Sequence, residues 1–403
     1  MINPAIAART ERASSGEERL RLSGGSARVY RYAAEIAPEI WSAAFSDTPK
    51  DFQYYQLLEQ TMRSHFDFRY LLVFDEGDRP LALQPLIIAT QDLAASAGGK
   101  FAQLVAGMRG SFPRFFQSRM ALAGCLVGEG KIGMLGSPDT VVPLLAEALE
   151  EFARTERIGL LAFKDFPAAS RKTLSCLERI GYVRLAGFPS LAIDLNFSSF
   201  EEYMMTRLSK VTRKTLRRKF RVADGVSPPL TLEVLFDVER QINEIYPLYL
   251  AVAQQSDVRF EVFTREYFIE APRLAPGRFR YFIWRRDGRV VAFSFCTIWN
   301  GTIFDDDIGF DYTVAHELNL YYVTFRDLLN WALSHGLRRY ASAPFNYDPK
   351  LHLRLELQPV DIYVKHISHM LNPLVKAFAP AFEPARSDPT LRRHLHLLEL
   401  SRF

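Results

Sequence analysis

The sequence predicts a mixed α/β protein of two successive domains, each a sheet with helices on its faces. Three observations carry that prediction. The chain has 403 residues, enough for two domains with a substantial core each. Hydrophobic residues are 48% and charged residues 24%, which is a globular rather than a disordered composition. One order of elements also recurs: hairpin strands, then a crossover helix, then a strand that packs beside them.

Residues 1–26 are polar and rich in glycine and serine and read as a loose tail. In the first domain, 27–197, the helical pattern FQYYQLLEQTMRSHF precedes the apolar strand YLLVFDE, and a Gly-Asp turn leads to PLALQPLIIAT. The helix VVPLLAEALEEFARTE precedes the strand GLLAFKDF, and the helix ASRKTLSCLERIG leads into YVRL and SLAIDL. A border near NFSSFEEY, residues 196–203, opens the second domain, 198–380. There the helices INEIYPLYLAVAQQS and TREYFIEAPRL come first. The hairpin RYFIWRRDGRVVAFSFCTIWNG turns at Asp287-Gly288, and TIFDDDIGF is a third strand. The helix LNLYYVTFRDLLNWALSHG, stopped by Gly336, leads to the strand RRYASA, and residues 381–403 read as a second tail. The two halves match in architecture, not in residue identity.

Whole classes drop out on composition. Cys125, Cys176 and Cys296 are scattered without CxxC spacing, which argues against a disulfide framework and a zinc site. His366 and His369 stand at i, i+3 with no neighbouring cluster to complete a ligand set, so no metal is expected. Neither a GxSxG elbow nor a P-loop is present. The start of the chain lacks the apolar segment of a secretory signal, and no run reaches the roughly eighteen apolar residues that span a bilayer. A cytoplasmic protein is expected, with peripheral contact to the inner face of the membrane as its apolar segments allow.

The net charge is only +4, so the local arrangement of charge says more than the total. Between Arg207 and Arg221 the chain reads RLSKVTRKTLRRKFR, eight basic residues in fifteen and no acid. On a helix, Arg207, Lys210, Lys214, Arg217, Arg218 and Arg221 crowd one side with Arg213 at its edge, while Leu208, Val211, Leu216 and Phe220 spread over the other. A solvated face usually mixes both signs; this one suits phosphates on a cofactor, a nucleic acid or lipid head groups.

LSKVTRKTLRRKFR, following SSFEEYMM, resembles the basic helix of FemAB-like, tandem-domain members of the GNAT acyltransferase superfamily. The run HELNLYYVTFRDLLNWALSHGLRRYASAPFNYDPKLHLRLELQPVDIYVKH is similar to the end of their second domain. The resemblance spans residues 198–380 and implies two GNAT-like domains. It also implies acyl transfer from a thioester, or from aminoacyl-tRNA in the Fem branch. One departure stands out. Simple GNAT enzymes hold coenzyme A pyrophosphate on the backbone of an Arg/Gln-x-x-Gly-x-Gly/Ala loop at a helix N-terminus, and here that place reads DYTVAHELNLYY, with no glycine pair. Basic side chains, Arg213, Lys214 and Arg217 with Asn319 from the loop, are then the candidates for gripping the cofactor.

Asp305, Asp306 and Asp307 are consecutive within an aromatic and aliphatic strand. By alternation Asp305 and Asp307 share one face and Asp306 takes the other. Buried carboxylates need compensation, so either the strand emerges at a solvated edge or an acid lines a cleft. In a cleft, Asp307 or His316, with Asp306 as fallback, would accept the proton of an attacking amine. Tyr321, or Tyr322 beside it, could donate a proton to a departing thiolate, as a tyrosine does in several GNAT enzymes.

Phe101–Val127 and HMLNPLVKAFAPAF are apolar and aromatic with only basic charges between, as core, a membrane interface or an acyl channel would require. The expected activity is an acyl-CoA-dependent N-acyltransferase acting on a lipid amine such as a sphingoid base, in the manner of bacterial ceramide synthases. Acyl-CoA would be a cosubstrate, with no permanently bound cofactor. The alternatives are an amino sugar or envelope-polysaccharide acceptor, a Fem-type transferase using aminoacyl-tRNA, or a non-enzymatic module that binds nucleic acid or membrane. Fem-type enzymes often insert a long helical arm, and no coiled-coil pattern is visible here.

Overall fold

The computed structural model of the chain describes residues 18–92, 107–110, 117–255, 261–379 and 383–394. It opens with the hairpin β1 (Glu18–Leu22) and β2 (Gly25–Tyr30), the helices α1 (Pro38–Ala44) and α2 (Phe52–Met62), and the hairpin β3 (Asp67–Asp75) and β4 (Pro80–Asp92). Next come β5 (Gln117–Ala123), β6 (Gly133–Met134), α3 (Pro138–Thr155), β7 (Leu160–Pro167), α4 (Arg171–Arg179), β8 (Val183–Ala186) and β9 (Ser190–Asp194). The helices α5 (Phe200–Arg207) and α6 (Lys210–Asp224) precede β10 (Leu230–Leu235), α7 (Ile242–Gln255) and α8 (Arg265–Leu274). The meander β11 (Phe279–Arg286), β12 (Arg289–Trp299) and β13 (Thr302–Phe310) runs into α9 (Tyr312–Ala315), α10 (Leu320–Ser334) and β14 (Arg339–Ser342). The chain closes with α11 (Tyr347–His352), β15 (Glu356–Gln358), β16 (Val360–His366), α12 (Asn372–Phe378), α13 (Pro384–Ser387) and α14 (Pro389–Arg393).

Two compact units result, each with its own mixed sheet. The first comprises described residues up to 47, from 65 to 185 and from 361 to 379; the second holds 48–64, 186–360 and 383–394. The first sheet has the order β1-β2-β3-β4-β5-β7-β16-β8, with β6 on β4. Its helix α3 buries Val141, Leu145, Leu149 and Phe152, one stripe at helical spacing, against Val73 and Phe163.

Several expectations change here. Residues 18–26 are not a tail: Leu20 is buried, and ERLRL pairs antiparallel with GSARVY because its apolar residues alternate. The described part of the second tail, α13 and α14, buries Ala385 and Leu391 in the core of the second unit. SLAIDL, expected in the first domain, is β9 and lies between β14 and β15 in the second sheet. The chain changes unit after Leu185, ahead of the expected border at 196–203. The helix α2 belongs to the second unit too, because Asp51, which caps it, accepts 2.9 and 2.6 Å bonds from the Arg278 guanidinium. Of Phe101–Val127, residues 101–106 and 111–116 lie outside the described residues, and Ala121, Ala123, Cys125 and Leu126 are core.

The second sheet runs β10-β11-β12-β13-β14-β9-β15. Asp287 and Gly288 both take positive φ at the β11–β12 turn, the conformation a two-residue hairpin of this type requires. Alternation then divides the meander. Phe282, Trp284 and Cys296 face the core made with α5, α6 and α10. Tyr281, Phe293 and Phe295 face an aromatic layer with Tyr249, Tyr267 and Phe268 from α7 and α8.

Candidate active site

The second sheet opens at one place. β13 and β14 are parallel and pair over four rungs, from Thr302 opposite Arg339 to Asp305 opposite Ser342. The last main-chain bond runs from the Ala343 amide to the Asp305 carbonyl at 3.2 Å. Beyond it β13 continues to Phe310 while the other strand turns away through Phe345 (φ 70°) and Asn346 (φ 50°). A left-handed phenylalanine costs about 1–3 kcal/mol and persists only where its surroundings impose it. The three acids sit where the fork begins.

Their directions differ from simple alternation. Phe295 pairs with Asp307 and Cys296 with Asp305, so Asp306 is the extra residue of a β-bulge. The bulge sends Asp306 and Asp307 to the aromatic side and Asp305 to the side of α10. Asp306 accepts a 2.5 Å bond from the Thr297 hydroxyl, and burial raises its carboxyl against the opposing pull of the Lys50 charge. Asp305 accepts a 2.8 Å bond from the Tyr340 hydroxyl and lies 3.8 Å from the Cys296 sulfur.

Each acid keeps partial solvent contact although protein surrounds it closely, and the α10 side, where Asp305 meets Tyr340, Tyr321 and Lys350, is the candidate recess. Burial pushes the Asp305 carboxyl up to about 6, against the opposing pull of the Tyr340 hydroxyl and the Lys350 ammonium. Burial, reinforced by the charges of Asp306 and Glu261, holds the Asp307 carboxyl well above the ordinary range. Lys350 on α11 is itself buried, donates a 2.6 Å bond to the Ala343 carbonyl, and is lowered by burial to about 8 while Asp305 pulls the other way. On α10, burial and the Asp305 charge hold the Tyr321 hydroxyl firmly protonated.

The expected site residues therefore separate. Tyr321 shares the recess with Asp305, and Asp307 and Asp306 lie behind the strand. His316 ends α9 exposed, with no side-chain hydrogen bond or ion pair among the described residues, so nothing there positions it as a base. Asp305 as the acid on the α10 side, Tyr340 and Lys350 were not anticipated. A bulge leaves no mark on hydrophobic alternation, and Lys350 reaches the recess only through the turn after β14.

The basic helix also divides. Thr212, Leu216 and Phe220 dock, but Val211, expected on the docked side, is exposed. Arg213 donates to the Leu208 carbonyl at 2.7 Å and the Met205 carbonyl at 3.3 Å, satisfying the last turn of α5. Arg217 pairs with Glu201, and Arg207 with Glu356 at 2.5 Å. Lys219 reaches the loop before α10, donating 3.1 Å to the Asn319 side chain and lying 4.1 Å over the Tyr322 ring. Lys210, Lys214 and Arg218 are exposed and have no acidic partner among the described residues. The stripe and the loop are thus neighbours, with fewer free cations than the sequence offers.

Five amides of the loop are bonded within the loop itself. The Val314 and Ala315 amides donate to the Asp311 carbonyl, the Thr313 amide to the Asp311 side chain, the Leu318 amide to Val314 and the Asn319 amide to His316. No group of three His, Cys, Asp or Glu among the described residues is placed to hold a metal ion, and His366 ends a strand rather than lying on a helix.

Residues 210–348 match the model of the GNAT acetyltransferase domain. The chain thus carries the domain of an acyltransferase enzyme; the fork, Asp305, Tyr321, Tyr340 and the basic helix lie inside it, and Lys350 lies two residues beyond. No curated protein matches the sequence. Among solved structures it is similar to FemX, at 9% identity with a TM-score of 0.53, over 89% of this chain and 100% of that one. It is also similar to the C-terminal domain of a putative lysylphosphatidylglycerol synthetase from Agrobacterium fabrum, at 13% identity and a TM-score of 0.51, over 87% and 95% of the two chains. A conserved protein of unknown function from Bacteroides thetaiotaomicron aligns at 11% identity and 0.51, over 82% and 96%. At these identities the likeness is one of fold: a mixed α/β architecture with two sheet-bearing regions, of which one matches the GNAT domain. No helix among the described residues is long and apolar enough to cross a membrane.

Proposed function

We propose that the second unit transfers an aminoacyl group from its tRNA ester to an amine acceptor, forming an amide. The choice of donor rests on the loop after β13. The amides of Thr313, Val314, Ala315, Leu318 and Asn319 are spent within the chain, which leaves little of the loop to cradle a single pyrophosphate, whereas Lys210, Lys214 and Arg218 are exposed on the adjacent helix with no acidic partner among the described residues. Side-chain cations on an exposed helix suit a long polyanion, held through counterion release. The likeness to FemX, and to a domain named for a lysyl-lipid product, favours the same donor over the acyl-CoA expected from sequence.

In this reading the amine nitrogen attacks the ester carbonyl, the carbon–nitrogen bond forms and the bond to the ribose oxygen breaks. Asp305 takes the amine proton, and Tyr321 gives one to the departing oxygen. Lys350 offsets charge beside Asp305. Asp307, whose carboxyl burial raises well above the ordinary range, lies on the other side of the strand and is not assigned the base. The acceptor class, a lipid or envelope-precursor amine, stays as the sequence suggests.

A second reading keeps acyl-CoA as donor, because the matched domain is an acetyltransferase domain. Binding separates the two. Uncharged tRNA and coenzyme A, each titrated into the protein in a calorimeter, should give salt-sensitive binding of tRNA and none of coenzyme A. The opposite pattern returns the thioester.

A further inference from the structure

Among its described residues the first unit carries an exposed apolar surface. The helix α12 has no buried side chain. It is tethered at its start by Asn372, which accepts from the His366 amide and donates to the Gly181 carbonyl, both at 2.9 Å. That tether sets α12 beside the end of α4, where Ile180 is also exposed. Met370 is 86% exposed and Phe378 61%, with Leu371 and Leu374 between them. On α12 Leu374 and Phe378 share one exposed face, opposite the side where Asn372 is anchored, and Met370 and Leu371 are exposed just before the helix. Single exposed apolar residues are ordinary; a contiguous run of five is not.

We propose that this face docks on an anionic lipid bilayer. Charge selects the occupant. Arg179 is exposed beside Ile180, and Lys376, exposed one turn after Asn372, lies on the other flank of α12, from which its long side chain can reach headgroups, while the neighbouring acid, Glu178, lies 4.0 Å from Arg184. Size selects it too. A stable protein partner needs about 20–30 residues on each side, and this face offers a quarter of that. A short amphipathic segment entering the headgroup layer needs no more, and cations beside it gain from anionic lipids. The proposal is independent of the donor, since it rests on the first unit and its test reads no turnover.

The test is co-sedimentation of the full chain with phosphatidylglycerol-containing vesicles and with phosphatidylcholine vesicles. Preferential binding to the anionic vesicles is expected. Leu374→Asp with Phe378→Asp should weaken it by about tenfold or more. Lys376→Glu with Arg179→Glu should weaken it at low salt and much less at high salt. All four positions are exposed, so the melting curves should match wild type. Absence of wild-type binding to anionic vesicles overturns the proposal, as does equal binding by the aspartate variant. A concentration-dependent dimer that the aspartate variant abolishes would overturn it as well, giving the face to a second copy of the chain.

Discussion

The Tyr340 hydroxyl donates a 2.8 Å hydrogen bond to Asp305 Oδ2 at the rung where β13 and β14 part. That bond favours the ionised carboxylate, as does the nearby Lys350 ammonium, while burial opposes both. The outcome, a carboxyl near 6, is ionised at neutral pH yet basic enough to take a proton.

If Asp305 is that base, activity falls as pH drops below about 6, because protonation removes the acceptor. Asp305→Asn should lower turnover about 10²- to 10⁴-fold and abolish the acidic limb of the pH–rate profile. Tyr340→Phe and Lys350→Met each remove an influence that favours ionisation, so each should move the limb to higher pH. A limb that stays in place in both variants assigns it to another group.

Asp307 should behave differently. Its folded pKa lies well above the ordinary value, so the folded protein holds a proton that the unfolded chain releases across that window. Stability is therefore full below the ordinary carboxyl pKa and declines as pH rises through the window. Asp307→Asn should flatten that decline in melting temperature against pH while keeping most of the turnover. His316→Ala, at an exposed position, should leave both near wild type. Loss of the acidic limb in Asp307→Asn, with Asp305→Asn active, would exchange the two roles.

The two sheets, the Asp287-Gly288 turn and the helix stopped by Gly336 were legible because turn chemistry and hydrophobic period are local. What misled was not local. One bulge at Asp306 reversed which acids share a face, and period-two reasoning has no means of seeing it. Arg213 and Arg217 looked free because their partners, the end of α5 and Glu201, matter only once two helices meet. β9 reads equally well as the end of one sheet or a member of the next; only its pairing with Tyr340 and Ala341 decides. Lys350 carried no signal beyond its residue type.

The helix α6 should therefore split under mutation. Lys214→Glu with Arg218→Glu should weaken tRNA binding and reduce the slope of log affinity against log salt by roughly 0.7–0.9 per lost phosphate contact, with stability unchanged. Arg213→Glu should instead lower the melting temperature by a few degrees, roughly what about 1 kcal/mol gives in a domain of this size, since it abandons the last carbonyls of α5. Equal stability in all three would undo the division.

Packing of α7 on β13 supplies a prediction free of chemistry. A Cβ at Gly309 would lie 2.3 Å from Phe293 Cε1 and 2.8 Å from the Leu248 carbonyl carbon. Gly309→Ala should cost about 1–3 kcal/mol in urea unfolding, because a backbone atom has to move. A neutral result would mean that α7 does not lie against the strand.

The donor is the central claim, and a paired turnover assay tests it most directly. The full chain is offered aminoacyl-tRNA in one reaction and acyl-CoA in another, each with the same panel of lipid and amino-sugar amines, and amide products are read by mass spectrometry. The account predicts amide formation from aminoacyl-tRNA that depends on the acceptor and is lost in Asp305→Asn and in Lys214→Glu with Arg218→Glu. Amide formation with release of free coenzyme A, while aminoacyl-tRNA remains inert, would contradict it.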